Sequence, residues 1–287
     1  MRTYPTPIQI LHSPTLIAKM LYLLKLEWLK LNKLLSFRIF ILFYIVLLPA
    51  ILLTGKRIGD LPPPLMTNEV LFIFPTVWEY LGYVGNWLCF FFFGFLSIII
   101  VTTEYSYRTM RQNIITGLSR RQYFMGKVYF ILAISLLATA YYALCALSIG
   151  YFSTASVYWH KVWQNADYIP RYFLMCLGYM SFGLMLGFLV KRTGIALFLY
   201  LSYVMFLELI LRWGVHLQLI KHRSMHFYPM NAVEDLVPLP FTQVADQFLS
   251  QYGFRLFLSP EEAAVTVIVY SSVFILLAYQ VVKRADL

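Results

Sequence analysis

Apolar residues along this chain gather into six long runs, separated by short basic, aromatic or proline-bearing stretches. Runs of about 17–25 apolar residues match the ~30 Å hydrocarbon thickness at 1.5 Å of helical rise per residue. The runs predict membrane-spanning helices over about 37–54, 80–102, 128–152, 172–190, 194–213 and 263–282. Ahead of the first, Ile17, Leu21, Leu24, Trp28, Leu31 and Leu35 recur at alternating spacings of four and three, one stripe of a helix. Lys19, Glu27, Lys30 and Lys33 fall on the other side, so residues 17–35 read as an amphipathic elbow helix in the headgroup plane.

The fold class expected is therefore an all-α integral membrane protein: six transmembrane helices preceded by an interfacial elbow within a 1–36 N-terminal segment. Between the last two spans lies a long loop, 214–262. Its stretch from Phe227 to Phe241 carries Pro229, Pro238 and Pro240 among apolar residues. That stretch is too broken to span, but can dip into the bilayer if buried against protein. The N-terminus lacks the early apolar run and small-residue cleavage site of a secretory signal, so the first span is expected to stay in place.

Composition agrees: 60% of the 287 residues are hydrophobic and 13% charged, against roughly 25% charged in soluble domains. The formal charge of +10 would fit nucleic acid only if the basic residues lined one soluble face. They lie between apolar runs instead, so no nucleic-acid partner is expected. Placing the N-terminus in the cytoplasm puts 15 of the 23 lysines and arginines on that side, as positive-inside bias requires. With an even span count the 283–287 tail is cytoplasmic too.

The densest local signals fall in the cytoplasmic loop 104–127, EYSYRTMRQNIITGLSRRQYFMGK. Glu104 closes the second span with Arg108 four residues on, the favourable order for a helical pair. Thr109 to Thr116 can form a short helix, which Gly117 would end as a C-terminal cap. Ser119 and Gln122 have capping-box spacing and would start the helix leading into the third span. Positive-inside charge and ordinary caps account for each feature singly, but not for their concentration in one short loop.

This segment resembles the permease subunits of type-2 ATP-binding-cassette exporters. The resemblance rests on Glu104, Thr109, Arg111, Gly117, Ser119, Arg120, Gly126 and Lys127 in that order between spans two and three, supported by the elbow and the closing Lys283-Arg284-Ala285-Asp286-Leu287. It implies that 104–127 is a coupling helix docking into a separate ATPase, with Glu104, Arg108, Thr109, Arg111, Ile115, Gly117, Ser119, Arg120 and Lys127 forming the coupling element. It also implies two copies of that ATPase subunit, a second permease half (the same or a homologous chain), surrounding lipids, and a bacterial plasma-membrane location. Substrates of such exporters are often amphipathic or lipid-like. The long 214–262 loop departs from the family norm.

Catalytic machinery is not expected. A phosphate-binding loop needs Gly-x4-Gly-Lys-[Ser/Thr], yet Gly55-Lys56 is followed by Arg57 and Gly126-Lys127 by Val128. No cofactor is therefore assigned to this chain, and ATP and magnesium would belong to the partner. His222 and His226 have a spacing that can share a metal on a helix, but no nearby Cys or carboxylate completes a set with His216. Cys89, Cys145 and Cys176, in different spans, read as packing residues. Met175, Met180 and Met185 sit five apart, a poor helical face, and read as lipid-facing or core packing and not as a metal relay. Gly183 and Gly187 form GxxxG, which permits close helix packing within the subunit. Glu208 and Arg212, ionisable and four apart in the fifth span, form a candidate intramembrane pair. Two competing functions are an ion-coupled secondary transporter, which would show internal repeats and broken helices, and an integral membrane enzyme, which would show convergent acid, His or Ser groups.

Overall fold

The computed structural model describes residues 16–55, 71–240 and 242–284. Residues 1–15, most of the segment joining the first two spans, and the last three residues of the tail lie outside the described residues. Among those described the chain is helical throughout, without strands, and six helices are long and apolar enough to cross a membrane.

In order, α1 is Leu16–Leu31 and α2 is Leu35–Gly55. The long α3 is Val77–Ser106. The short α4, Thr109–Ile115, joins it to α5, Arg120–Ser153. A five-residue helix α6, Trp159–Trp163, leads into α7, Tyr168–Val190. Then come α8, Thr193–Leu219, the short α9, Pro229–Glu234, the surface α10, Thr242–Tyr252, and finally α11, Pro260–Arg284. Each apolar run is recovered. The helices outlast the runs because capped, polar turns continue them beyond the hydrocarbon: α5 begins eight residues before Val128, at its cap.

Helix α7 is central, packed by α3, α5 and α11. Its glycines explain how closely the helices approach. A Cβ at Gly183 would come within 2.5 Å of the Gly94 carbonyl oxygen on α3, and one at Gly187 within 3.0 Å of the Val101 Cβ. The GxxxG pair therefore packs against α3 of the same chain. Buried tyrosines tie the bundle crosswise. Tyr142 stacks on Tyr172 with ring centres 4.2 Å apart and donates to the Trp78 carbonyl at 2.6 Å, while the Tyr172 and Tyr44 hydroxyls are 2.9 Å apart. Burying a phenol is favourable when its hydroxyl finds such a partner. Met175, Met180 and Met185 are buried in this core, and Cys89 and Cys176, far apart in sequence, bring their Sγ atoms to 3.4 Å.

Helix α1 packs on α5. The side it turns to the protein is Leu23, Glu27 and Leu31, whereas Ile17, Leu21 and Trp28 stay exposed. The stripe is thus split, Ile17, Leu21 and Trp28 facing outward and Leu31 packing on the bundle, and Glu27 does not share a face with the lysines as the wheel alone implied.

Candidate functional site

The loop between α3 and α5 is built as its local signals predict, with one exception. Ser119 Oγ accepts from the Gln122 amide at 3.2 Å, and Gln122 Oε1 accepts from the Ser119 amide at 2.9 Å. This is a complete capping box. Gly117 adopts φ +112° just after α4, a conformation that side-chain-bearing residues rarely take. Within α4, Met110 is buried and Ile114 half-buried, while Arg111 is exposed and Ile115 is 75% exposed. Thr109 caps loosely, its hydroxyl 3.5 Å from the Glu104 carbonyl.

The exception is the Glu104–Arg108 pair, which does not form. Arg108 leaves the helix at φ 55° and is exposed. Leaving the helix ends the i,i+4 relation, so no ion pair holds Arg108 among the described residues. Glu104 turns inward instead. Its Oε1 lies 2.6 Å from Lys127 Nζ and 3.3 Å from Lys30 Nζ. Lys127, wholly buried, also reaches Glu27 Oε2 at 2.5 Å, and Lys30 reaches Glu27 Oε1 at 3.2 Å. The Lys127 ammonium is 5.6 Å from the centre of the Tyr123 ring. Two carboxylates and two ammonium groups therefore neutralise one another where α1, α3 and α5 meet. Arg120 is engaged as well, donating to the Lys283 carbonyl at 2.5 Å and so linking the start of α5 to the end of α11. The segment is thus divided: Arg108, Arg111 and Ile115 look outward, and Glu104, Lys127 and in part Arg120 fasten the loop to the bundle.

Glu27 was missed by sequence reading. The signal for it was the spacing Leu23, Glu27, Leu31, a single acid on an otherwise apolar i,i+4,i+8 row.

At the opposite end, Glu208 and Arg212 are both buried, but no ion pair joins them among the described residues. Glu208 accepts the Met230 amide at 3.1 Å and the Asn231 amide at 2.6 Å. Both are orphan donors in the first turn of α9, which Pro229 opens. Arg212 donates through Nε to the Met225 carbonyl at 3.2 Å. The i,i+4 relation fails because π-helical turns, Tyr203–Leu207 and Ile210–His216, interrupt α8, and a wider turn rotates residues four apart off a common face. Glu208→Ala should therefore lower stability by about 1–3 kcal/mol, the cost of buried amides left without acceptors. Adding Arg212→Gln should not restore it, as a melt of the purified double variant would show; recovery would mean that the two pair directly.

The loop bonded by Glu208 folds into the bundle. Met230, Ala232, Val233, Leu236 and Val237 are buried, and a Cβ at Gly178 would lie 2.6 Å from Val233 Cγ2. Small residues on α7 leave the space that α9 fills. Asp235 Oδ2 accepts from Asn231 Nδ2 at 3.0 Å and from the Leu258 amide at 2.9 Å, pinning the loop's return to α11. His222 and His226 do not converge on a metal: His222 Nδ1 and His216 Nε2 both meet the Ser224 hydroxyl, while His226 is buried against Phe254 and Phe248. Burial holds the His226 imidazole down at about 4. Among the described residues no three metal-ligating side chains cluster.

Between this loop and α3, α7 and α8 lies a cavity of about 610 Å³. Arg212, Asn231, Glu234 and Asp235 line it together with several aromatic residues. Burial raises both Glu234 and Asp235 to about 7. Glu234 is exposed and lines the cavity, whereas Asp235 beside it is buried.

Residues 63–287 match a family described as a protein of unknown function, DUF2705. No curated protein matches the chain.

Proposed function

The chain belongs to that DUF2705 family, and from this premise we propose that it is the membrane-spanning permease subunit of an ATP-binding-cassette exporter, driven by separate ATPase subunits. The observation that carries the reading is the division of the 104–127 segment. One face of α4 presents Arg111 and the 75% exposed Ile115 outward, while Lys127 and Glu104 fasten the same loop to α1, α3 and α5. A docking element of this kind needs an exposed apolar anchor and a rigid connection to what it moves. A push on α4 passes through the Gly117 turn and capping box into α5, and through the buried charges into α1 and α3.

In this reading two permease halves work with two ATPases, and ATP and magnesium reside in those partners. The end bearing α4 is cytoplasmic in a bacterial plasma membrane, as 15 of 23 basic residues on that side favour. Helix α1, with Ile17, Leu21 and Trp28 outward, lies along the inner leaflet. The cargo is amphipathic or lipid-like.

One observation favours ion-coupled secondary transport instead: the π-helical interruptions of α3 and α8 beside two buried ionisable groups. The two readings part in one experiment. Tagged chain purified from its native membranes should bring down an ATP-hydrolysing subunit, and cysteines placed at 120 and 246 in a cysteine-free background should label from opposite faces, 246 from outside. Absence of an ATPase together with export driven by an ion gradient would overturn the permease reading.

A further inference from the structure

We propose that the cavity enclosed by α3, α8, α9 and α10 binds an organic cation with an apolar or aromatic body, holding its positive charge against Glu234. The site requires only the cavity, and stands whether or not the chain works with an ATPase.

Its volume, about 610 Å³, lies in the range of small-molecule pockets, roughly 300–1,000 Å³. The walls are mainly apolar and rich in aromatic rings, among them Trp87 and Phe90 from α3, Trp213 from α8, and Phe248 and Tyr252 from α10. Such rings favour apolar surface and attract cations to their faces. Charge decides the sign of the ligand. Of the polar groups present, Arg212 donates through Nε to the Met225 carbonyl and keeps its positive charge, while Asp235 accepts from Asn231 and from the Leu258 amide. The Glu234 carboxylate forms no hydrogen bond or ion pair among the described residues, and Glu234 lines the cavity. With both acids ionised, Glu234 and Asp235 outnumber the single guanidinium of Arg212, and the surplus negative charge beside aromatic rings suits a cation.

The cavity rim also points to an amphipathic molecule. Trp87 and Leu209 are exposed on the membrane-spanning surfaces of α3 and α8, while Gln247 and Gln251 are exposed on α10 outside the spans. A ligand can enter from the bilayer with its body against the first pair and its polar end toward the second.

Protonation of Glu234 supplies a second handle. Burial raises it to about 7, so at pH 8 it is charged and at pH 6 mostly neutral, and cation binding should weaken as pH falls. The groups around it are Arg212 and Glu208 on α8, Asp235 beside it, and the Tyr179 and Tyr200 phenols. Asp235 titrates in the same window, while His226 at about 4 stays neutral across it.

Tetraphenylphosphonium and tetraphenylborate share one shape with opposite charge, and neither titrates. Equilibrium dialysis against the full chain in lipid nanodiscs should show saturable binding of the phosphonium, weakened about tenfold by Glu234→Gln and little by Asp246→Asn on the exposed face of α10. Part of the pH dependence should vanish in Glu234→Gln, the remainder belonging to Asp235. Thermal unfolding of each variant checks that it is folded; should Glu234→Gln not fold, Trp87→Ala, at an exposed position, is expected to weaken binding several-fold. Non-saturable uptake, tighter binding of the borate, or a folded Glu234→Gln that binds unchanged would overturn the proposal. None of these outcomes bears on α4 or on ATPase assembly.

Discussion

Lys127→Met is expected to destabilise the purified chain by about 3–5 kcal/mol, the usual cost of stripping one partner from a buried ion pair. The ammonium is wholly buried between Glu27 and Glu104, at 2.5 and 2.6 Å. Without it two buried carboxylates face each other with only the half-buried Lys30 between them, and both desolvation and like-charge repulsion oppose folding. Removing the charges together should act differently. In Lys127→Met combined with Glu27→Gln and Glu104→Gln, no ion is left uncompensated, so most of the lost stability should return. Lys127→Arg should not substitute, because a planar guanidinium cannot occupy the site of a compact ammonium. Thermal melts and hydrogen exchange over α1 would read the effect. If Lys127→Met melted like the wild type and lost only partner binding, Lys127 would belong to a docking face and not to the clamp between α1, α3 and α5.

That clamp marks where sequence reading stopped. The spans were legible because a bilayer demands long apolar runs, whatever packs beside them. The α4 loop was legible because caps are local: Ser119 answers Gln122 three residues on, and Gly117 alone accepts φ +112°. Glu27 and Lys127 are 100 residues apart in sequence, and nothing local announces such a contact. The amphipathic wheel for α1 put Glu27 with Lys19, Lys30 and Lys33 on the polar, headgroup side, an inference that fails where a protein surface covers part of the helix. The Glu208–Arg212 pair failed differently. Four-residue spacing implies contact only in a regular α-helix, and two π-helical segments in α8 remove the condition. The backbone amides opening α9 then take the carboxylate. The cavity was not visible at all, since it needs α10 and the 229–239 stretch folded back over α3 and α8.

Ile115→Asp is expected to leave the isolated chain intact and to weaken its proposed assembly with an ATPase by more than tenfold. At 75% exposure Ile115 contributes little to the bundle, and substitutions at such surfaces usually stay within about 0.5 kcal/mol. Met110, one turn back and buried, holds α4 to the bundle; Met110→Asp is the contrasting variant that should lower the melt. In a docked complex the balance reverses. Covering an isoleucine is worth roughly 1.5–3 kcal/mol, and an aspartate there would both forfeit this and carry a charge into an apolar groove. Arg111 shares the outward face, but a rim ion pair contributes only about 0–1 kcal/mol. Arg111→Ala should thus weaken co-purification by about fivefold or less, against more than tenfold for Ile115→Asp. Arg120 is expected to separate docking from transmission, since it bonds the Lys283 carbonyl of its own chain. Arg120→Ala should assemble and hydrolyse ATP while export falls, because the start of α5 is no longer linked to α11. Co-purification yield, ATPase rate and export in lipid, measured for each variant, read these effects separately. Full assembly and export by Ile115→Asp would mean that α4 is not a coupling element, and the permease proposal would lose the observation on which it rests.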